Sequence, residues 1–306
     1  MRTIYLDYNA TTPLDADVRA AMLPILDEVW GNPSSVHHVG QRARSLLDDA
    51  RDRVADTLKC KPSEIIFTSG GSESTNLALH GMARQLRDNG RHIITSAVEH
   101  HAVLSPCEYL ANNEGFEVTF LPVDSAGRVA VESVREALRP DTVLVSIMAA
   151  NNEVGTLQPV AEIGELCADK GVVFHTDAVQ CFGKVGINGI ADFNADLVSL
   201  CAHKFHGPNG AGLLYAKSPL LPDPIVHGAP HENERRAGTE NLAGIIGLAE
   251  AIVRFLPIPI FPMETLAPLA GMLIEMVDAT DGATFLGDRV SANRLSNTVS
   301  FTVEGT

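Results

Sequence analysis

The stretch ADLVSLCAHKFHGPNGAGLLY, residues 195–215, decides how the rest of the chain reads. Leu197, Val198 and Leu200 make a continuous apolar run, the pattern of a strand buried on both faces. The run ends at Lys204, inside a polar segment punctuated by Gly207, Gly210 and Gly212, and a second short apolar run follows at 213–216. Lysine normally keeps its ammonium in water, and one half-buried at the end of a strand tends to lose its proton. That condition suits a Schiff-base lysine, although most lysines after a strand are ordinary loop residues.

Further apolar, β-branched runs lie at 64–68, 92–97, 117–123, 142–149, 172–176, 196–200 and 212–216. Amphipathic patterns between them predict helices over 41–58, 73–89, 105–112, 131–138 and 160–170. Because the strands are continuously apolar, the alternation predicts an α/β fold whose mostly parallel seven-stranded sheet is flanked by helices. After Asn241 the pattern changes. A helix is expected over 243–256, stopped by Pro257, Pro259 and Pro262, then a second over 264–277 and a last strand over 298–303. The helix at 264–277 has few charges, so one face is expected to be buried against another subunit or a missing part of the chain. The last strand needs a neighbour, and the final sixty or so residues read as an incomplete small α+β domain. The expected organisation is an N-terminal arm at 1–14, a large domain at 15–247 and a partial small domain at 248–306.

A net charge of −15 lacks the basic face that nucleic-acid binding needs. Glu250 and Arg254 interrupt the best candidate for a membrane span, and MRTIYLDYNATTP at the N-terminus carries no apolar signal region. A cytoplasmic protein without membrane association is expected. Cys60, Cys107, Cys167, Cys181 and Cys201 are scattered without a CxxC pair, which fits reduced thiols rather than a disulfide framework or a zinc site. The pairs His203/His206 and His227/His231 lack nearby carboxylates, so no metal is expected.

Five polar constellations stand out, four of them at the ends of expected strands. Phe67-Thr-Ser-Gly-Gly-Ser-Glu-Ser-Thr-Asn76 opens a helix with a glycine pair and small hydroxyl residues, a phosphate cradle or an ordinary capped helix. It matches neither the dinucleotide fingerprint nor the P-loop spacing. Asp177 and Gln180, in HTDAVQ, follow the fifth strand, where open α/β sheets bind ligands; the carboxylate could hold a protonated ring nitrogen or cap a helix. His100, in VEHH, could stack on a flat cofactor or simply be solvated. Asn151-Asn-Glu-Val-Gly155 and Arg235-Arg-Ala-Gly-Thr-Glu-Asn241 add a turn and a basic loop suited to an anion. Together with Lys204 these are the groups that pyridoxal phosphate needs: a phosphate anchor, a partner for the pyridine nitrogen, a stacking ring and an amine for the aldehyde.

The chain resembles the cysteine desulfurases that feed iron–sulfur cluster assembly, within the class V aminotransferase-like, fold-type I pyridoxal phosphate enzymes. The resemblance is carried by LDYNATTP (6–13), GNPSSVH (31–37), FTSGGSESTN (67–76), EHHAV (99–103), NNEVG (151–155), HTDAVQ (175–180), AHKFHGPNGAG (202–212) and RRAGTEN (235–241), in family order over residues 1–250. It implies that Lys204 is the Schiff-base lysine and that His100 stacks on the ring. Asp177 would keep the pyridine nitrogen protonated, with Gln180 and Asn152 on the ring hydroxyl. Gly71, Ser72 and His203 would bind the phosphate. Thr239 would reach the phosphate of a second copy, which implies a homodimer with shared sites. The implied reaction takes L-cysteine to L-alanine. Lys204 moves the Cα proton, and an enzyme thiolate takes the substrate sulfur as a persulfide for an acceptor or scaffold protein.

The sequence departs from the family's pattern in two places. Cys201 stands where the family usually has Ser or Thr as a phosphate donor, and a thiol is a poor donor. The family's persulfide cysteine lies on a loop beyond the VSFTVEG-type strand at which this chain ends, and none of the five cysteines sits in a comparable loop. Two alternatives to desulfuration therefore stand beside it: a thiol-independent lyase or aminotransferase of the same fold, and a split or non-catalytic cofactor-binding subunit.

Overall fold

The computed structural model describes residues 4–305. The main sheet contains β1 Ile65–Thr68, β2 His92–Ser96, β3 Glu117–Leu121, β4 Thr142–Ser146, β5 Val173–Asp177, β6 Leu197–Cys201 and β7 Gly212–Ala216. Their order across the sheet is β1-β7-β6-β5-β4-β2-β3. All neighbours run parallel except at β7, which is antiparallel to both β1 and β6. The seven-strand expectation holds, and the single reversal follows from the short β6–β7 connection, which turns back directly rather than crossing over through a helix.

Helices cover both faces: α1 Ala16–Glu28, α2 His38–Leu58, α3 Gly71–Leu86, α4 His101–Asn113, α5 Val131–Ala137, α6 Val160–Lys170 and α7 Leu242–Phe255. On one face Leu47, Val54, Ile245 and Leu248 of α2 and α7 pack with Phe174 and Val198 of the sheet. On the other, Leu77 and Met82 of α3 and Val103 and Leu110 of α4 pack with Ile66 and Leu144. Strands β1, β2, β4, β6 and β7 are buried at every position, which is why they read as unbroken apolar runs. β3 is the exposed one of the two edge strands, and its exposed Glu117 and Phe120 fit that place.

The sequence pattern assigns no helix at α1. Asp15 caps it by accepting the Asp17 and Val18 N–H groups, and Val18 and Ile25 bury one narrow stripe. Pro24 and the exposed Leu23 and Leu26 blur that stripe in the sequence. α4 begins four residues or so before its expected start because His100 caps it through Nδ1.

The domain boundary was expected at 247. It falls inside α7, whose Leu242, Ile245, Leu248 and Ile252 all belong to one core cluster. Beyond the prolines come α8 Met263–Asp278 and a hairpin of β8 Ala283–Leu286 with β9 Ser300–Val303. The last strand thus has its neighbour, in a four-residue strand too short to stand out in the sequence. Leu269, Met272, Leu273 and Met276 of α8 form an exposed apolar stripe, so within this chain the face expected to be covered is open. No helix is long and apolar enough to cross a membrane among the described residues.

Candidate active site

Lys204 ends a single 3-10 turn, Ala202–Lys204, directly after β6. The N-terminal arm wraps this turn. Lys204 Nζ donates to the carbonyls of Asn9 at 2.7 Å and Ala10 at 2.9 Å. Thr12 Oγ1 donates to the His203 carbonyl at 2.8 Å and accepts the His206 N–H at 2.6 Å. His203 Nδ1 shares a 3.1 Å hydrogen bond with Thr11 Oγ1. LDYNATTP is therefore the strap that fixes the lysine. Burial lowers the Lys204 pKa, and Cys201, Asp177 and Asp7 oppose that shift.

The anion cradle is the N-terminus of α3. Its N-cap, Gly70, offers no side-chain cap, so the helix dipole and first-turn N–H groups face the cavity at Gly71 and Ser72. A Cβ on Gly71 would lie 2.7 Å from Val179 Cγ2, and one on Gly212 would lie 2.6 Å from the Gly70 carbonyl carbon. Both glycines are required by close approach, which explains the glycine-rich sequence on each side of the site. Cys201 is fully buried and lines the cavity beside Gly71.

Asp177 ends β5 and accepts the Val179 N–H at 3.0 Å through Oδ1. No helix follows it, so its carboxyl is held by a turn. Burial pushes that carboxyl up, and His100 and Lys204 pull it back in part. His100 accepts the Ala102 N–H on Nδ1 at 3.0 Å, which leaves Nε2 to carry the proton of the neutral ring. Gln180 is buried and donates through Nε2 to the Asn9 carbonyl at 3.0 Å. The Asn152 carbonyl accepts from Asn9 Nδ2 at 3.2 Å.

Lys204, His100, Asp177, Gln180, Asn152, His203, Gly71 and Ser72 all line one cavity of ≈ 440 Å³. Thr239 does not; it is exposed on the loop before α7. Three further residues at the site were not singled out from the sequence. Asn9 bonds to Lys204, Gln180, Lys184, Asn152, Asn297 and Thr298. Lys184 is a buried amine beside Gln180. Glu99 lies under His100, accepting from Ser96 Oγ at 2.6 Å and Met148 N at 2.9 Å, while its Oε2 has no partner. Burial pushes the Glu99 carboxyl up to about 8, with Asp177 adding to the rise. The motif context of Asn9 and Glu99, in LDYNATTP and EHHAV, is the only sequence signal that marked their neighbourhoods.

All five cysteine thiols are pushed up to about 12 by burial. At neutral pH such thiols hold almost no thiolate. Among the described residues no group of three or more His, Cys, Asp or Glu is placed to hold a metal ion.

The donors fit pyridoxal phosphate. An uncapped helix N-terminus suits a phosphate dianion, a buried strand-end carboxylate suits a pyridinium, and a desolvated lysine suits an aldehyde. The cavity volume is within the range of small-molecule sites, about 300–1,000 Å³. Fold and site together define a pyridoxal phosphate-dependent enzyme.

The chain belongs to the aminotransferase class-V family, which matches residues 4–306, and within it to the cysteine desulfurases. It is 46% identical over 307 residues to the cysteine desulfurase IscS of Dictyoglomus turgidum, covering 99% of this chain and 77% of that protein. The match to the cysteine desulfurase IscS of Methanosarcina thermophila is 50% over 250 residues, 82% of this chain and 61% of that protein. A solved NifS-like protein superposes with a TM-score of 0.92 at 38% identity, over 99% of this chain and 82% of the other.

Proposed function

We propose that the cavity at Lys204 converts L-cysteine to L-alanine and hands the sulfur on as a persulfide. The observation that carries this is the convergence of Lys204, Asp177 and the α3 N-terminus on one cavity. When bound, pyridoxal phosphate supplies an electron sink for charge developing at the substrate Cα. Gly71 and Ser72 hold the phosphate with main-chain N–H groups, His203 adds a donor, and Thr239 reaches the phosphate in a second copy of the chain. Asp177 keeps the pyridine nitrogen protonated, since a cation beside a buried carboxylate favours its charged form. His100 would stack on the ring, and Gln180 and Asn152 would bind its hydroxyl. Lys204, whose burial favours the free amine, would hold the aldehyde end of the cofactor and is the base placed to move a proton at the substrate Cα.

None of the five cysteines at 60, 107, 167, 181 and 201 suits the role of the thiol that takes the sulfur: four are buried, Cys60 is half-buried outside the cavity lining, and burial pushes all five thiols up. The working assembly is a homodimer in the cytoplasm that meets a sulfur-acceptor or scaffold protein. The arm at 4–14 and the body through α7 form the cofactor-binding part, and α8 with the β8–β9 hairpin forms a small second part.

The test is Lys204→Ala. Loaded with pyridoxal phosphate and treated with borohydride, the unaltered chain should carry the cofactor covalently on Lys204 and the variant should carry none. A variant still labelled, on Lys184 or elsewhere, would show the assignment to be wrong.

A further inference from the structure

Lys184 lies in the turn segment after β5 and is 4% exposed. Its Nζ donates to Asn9 Oδ1 at 2.9 Å and, in a short contact, to Gln180 Oε1. The titratable groups that act on it include Lys204, Cys181 and Cys201, it acts in turn on His203, and no carboxylate is hydrogen-bonded to it. A buried ammonium without a counter-charge is costly, and such groups concentrate where function retains them. Burial, with Lys204 adding, pushes this one down to about 7.

What the amine fixes is the sense of the Gln180 amide. With Oε1 on Lys184 and Nε2 on the Asn9 carbonyl, a flipped amide would set its oxygen against that carbonyl and give up the hydrogen bond that Lys184 donates. The second Nε2 hydrogen is then the group left for the cavity that Gln180 lines. The same Lys184 holds the side chain of Asn9, whose main-chain carbonyl takes Lys204 Nζ. We infer that Lys184 is a positioning residue: it locks Gln180 as a donor towards the bound ring and steadies Asn9 under Lys204, without touching the cofactor. The inference rests on the cavity being the pyridoxal phosphate site.

The experiment compares Lys184→Met, Lys184→Gln, Gln180→Leu and the Lys184→Met/Gln180→Leu pair, each loaded with pyridoxal phosphate. Cofactor affinity and the visible circular dichroism of the bound ring are read. Each Met or Leu single variant should lose affinity by about tenfold, the scale of one charged hydrogen bond, and show a weakened visible band. The pair should be no worse than the weaker single, because both act through one contact. Lys184→Gln, which keeps an amide donor for Asn9, should fall between Lys184→Met and the unaltered chain; it decides the matter if Lys184→Met does not fold. Unchanged affinity and band on loss of the amine, or losses that add in the pair, overturn the inference. If the unaltered chain takes up no borohydride-trapped cofactor, the reading of the cavity itself fails instead.

Discussion

Removing the Asn9 side chain tests whether the arm holds the site together. Asn9→Ala deletes four hydrogen bonds: Nδ2 to the Asn152 carbonyl at 3.2 Å and to Thr298 Oγ1 at 2.9 Å, and Oδ1 from Lys184 at 2.9 Å and from Asn297 at 3.0 Å. The main-chain carbonyl, which takes Lys204 and Gln180, remains. Three neutral bonds at about 1 kcal/mol and one charged bond at about 2 kcal/mol give an upper figure of about 5 kcal/mol. Asn9 is half-buried, so water replaces part of this, and a net loss of about 3 kcal/mol is expected. At roughly 2 °C per kcal/mol for a chain of this size, the melting temperature should fall by about 6 °C. Urea unfolding of the cofactor-free chain, followed by far-UV circular dichroism, gives the free energy directly. A loss below about 1 kcal/mol would mean that these bonds exchange freely with water and that the strap is not what orders the site.

Two further substitutions probe the buried groups. Glu99 has its folded pKa raised, so its contribution to stability is full at acid pH and is lost as pH rises through about 8. Glu99→Gln, neutral throughout, should therefore lose less stability than the unaltered chain between about pH 5 and about pH 9, and parallel urea-midpoint curves would contradict this. Cys201→Ser puts a better donor beside Gly71, and cofactor affinity should rise by about three- to tenfold, read by equilibrium dialysis; an unchanged or weaker affinity counts against Cys201 facing the phosphate.

The parts of the fold visible in the sequence are those set by local pattern. β4 and β6 are buried at every position, and apolar runs announce them. Lys204 and His100 follow strands and Asp177 ends one, and strand ends are where such sheets gather ligands. The reversal of β7 was not visible, because GLLYA is equally apolar in either direction. Nor was the role of Asn9 or Lys184. The partners of Asn9 at Asn152 and Thr298 lie 143 and 289 residues away, and Lys184 meets Asn9 across 175. A buried amine in a polar turn looks in sequence like any surface lysine. Only the packing of β5, the arm and the β6 turn removes its water.

The strap around Lys204 also dictates an order of events during synthesis. Asn9 leaves the ribosome 289 residues ahead of Thr298, which its side chain finally meets. At roughly 5–20 residues per second that gap is about 15–60 s, during which the arm has been made but the contact cannot close. The parallel strands from β2 to β6 pair across much shorter spans and can be in place by then. The pocket around Lys204 thus cannot be fully clasped by the arm until the segment carrying Thr298 has emerged, long after the sheet around it can pair.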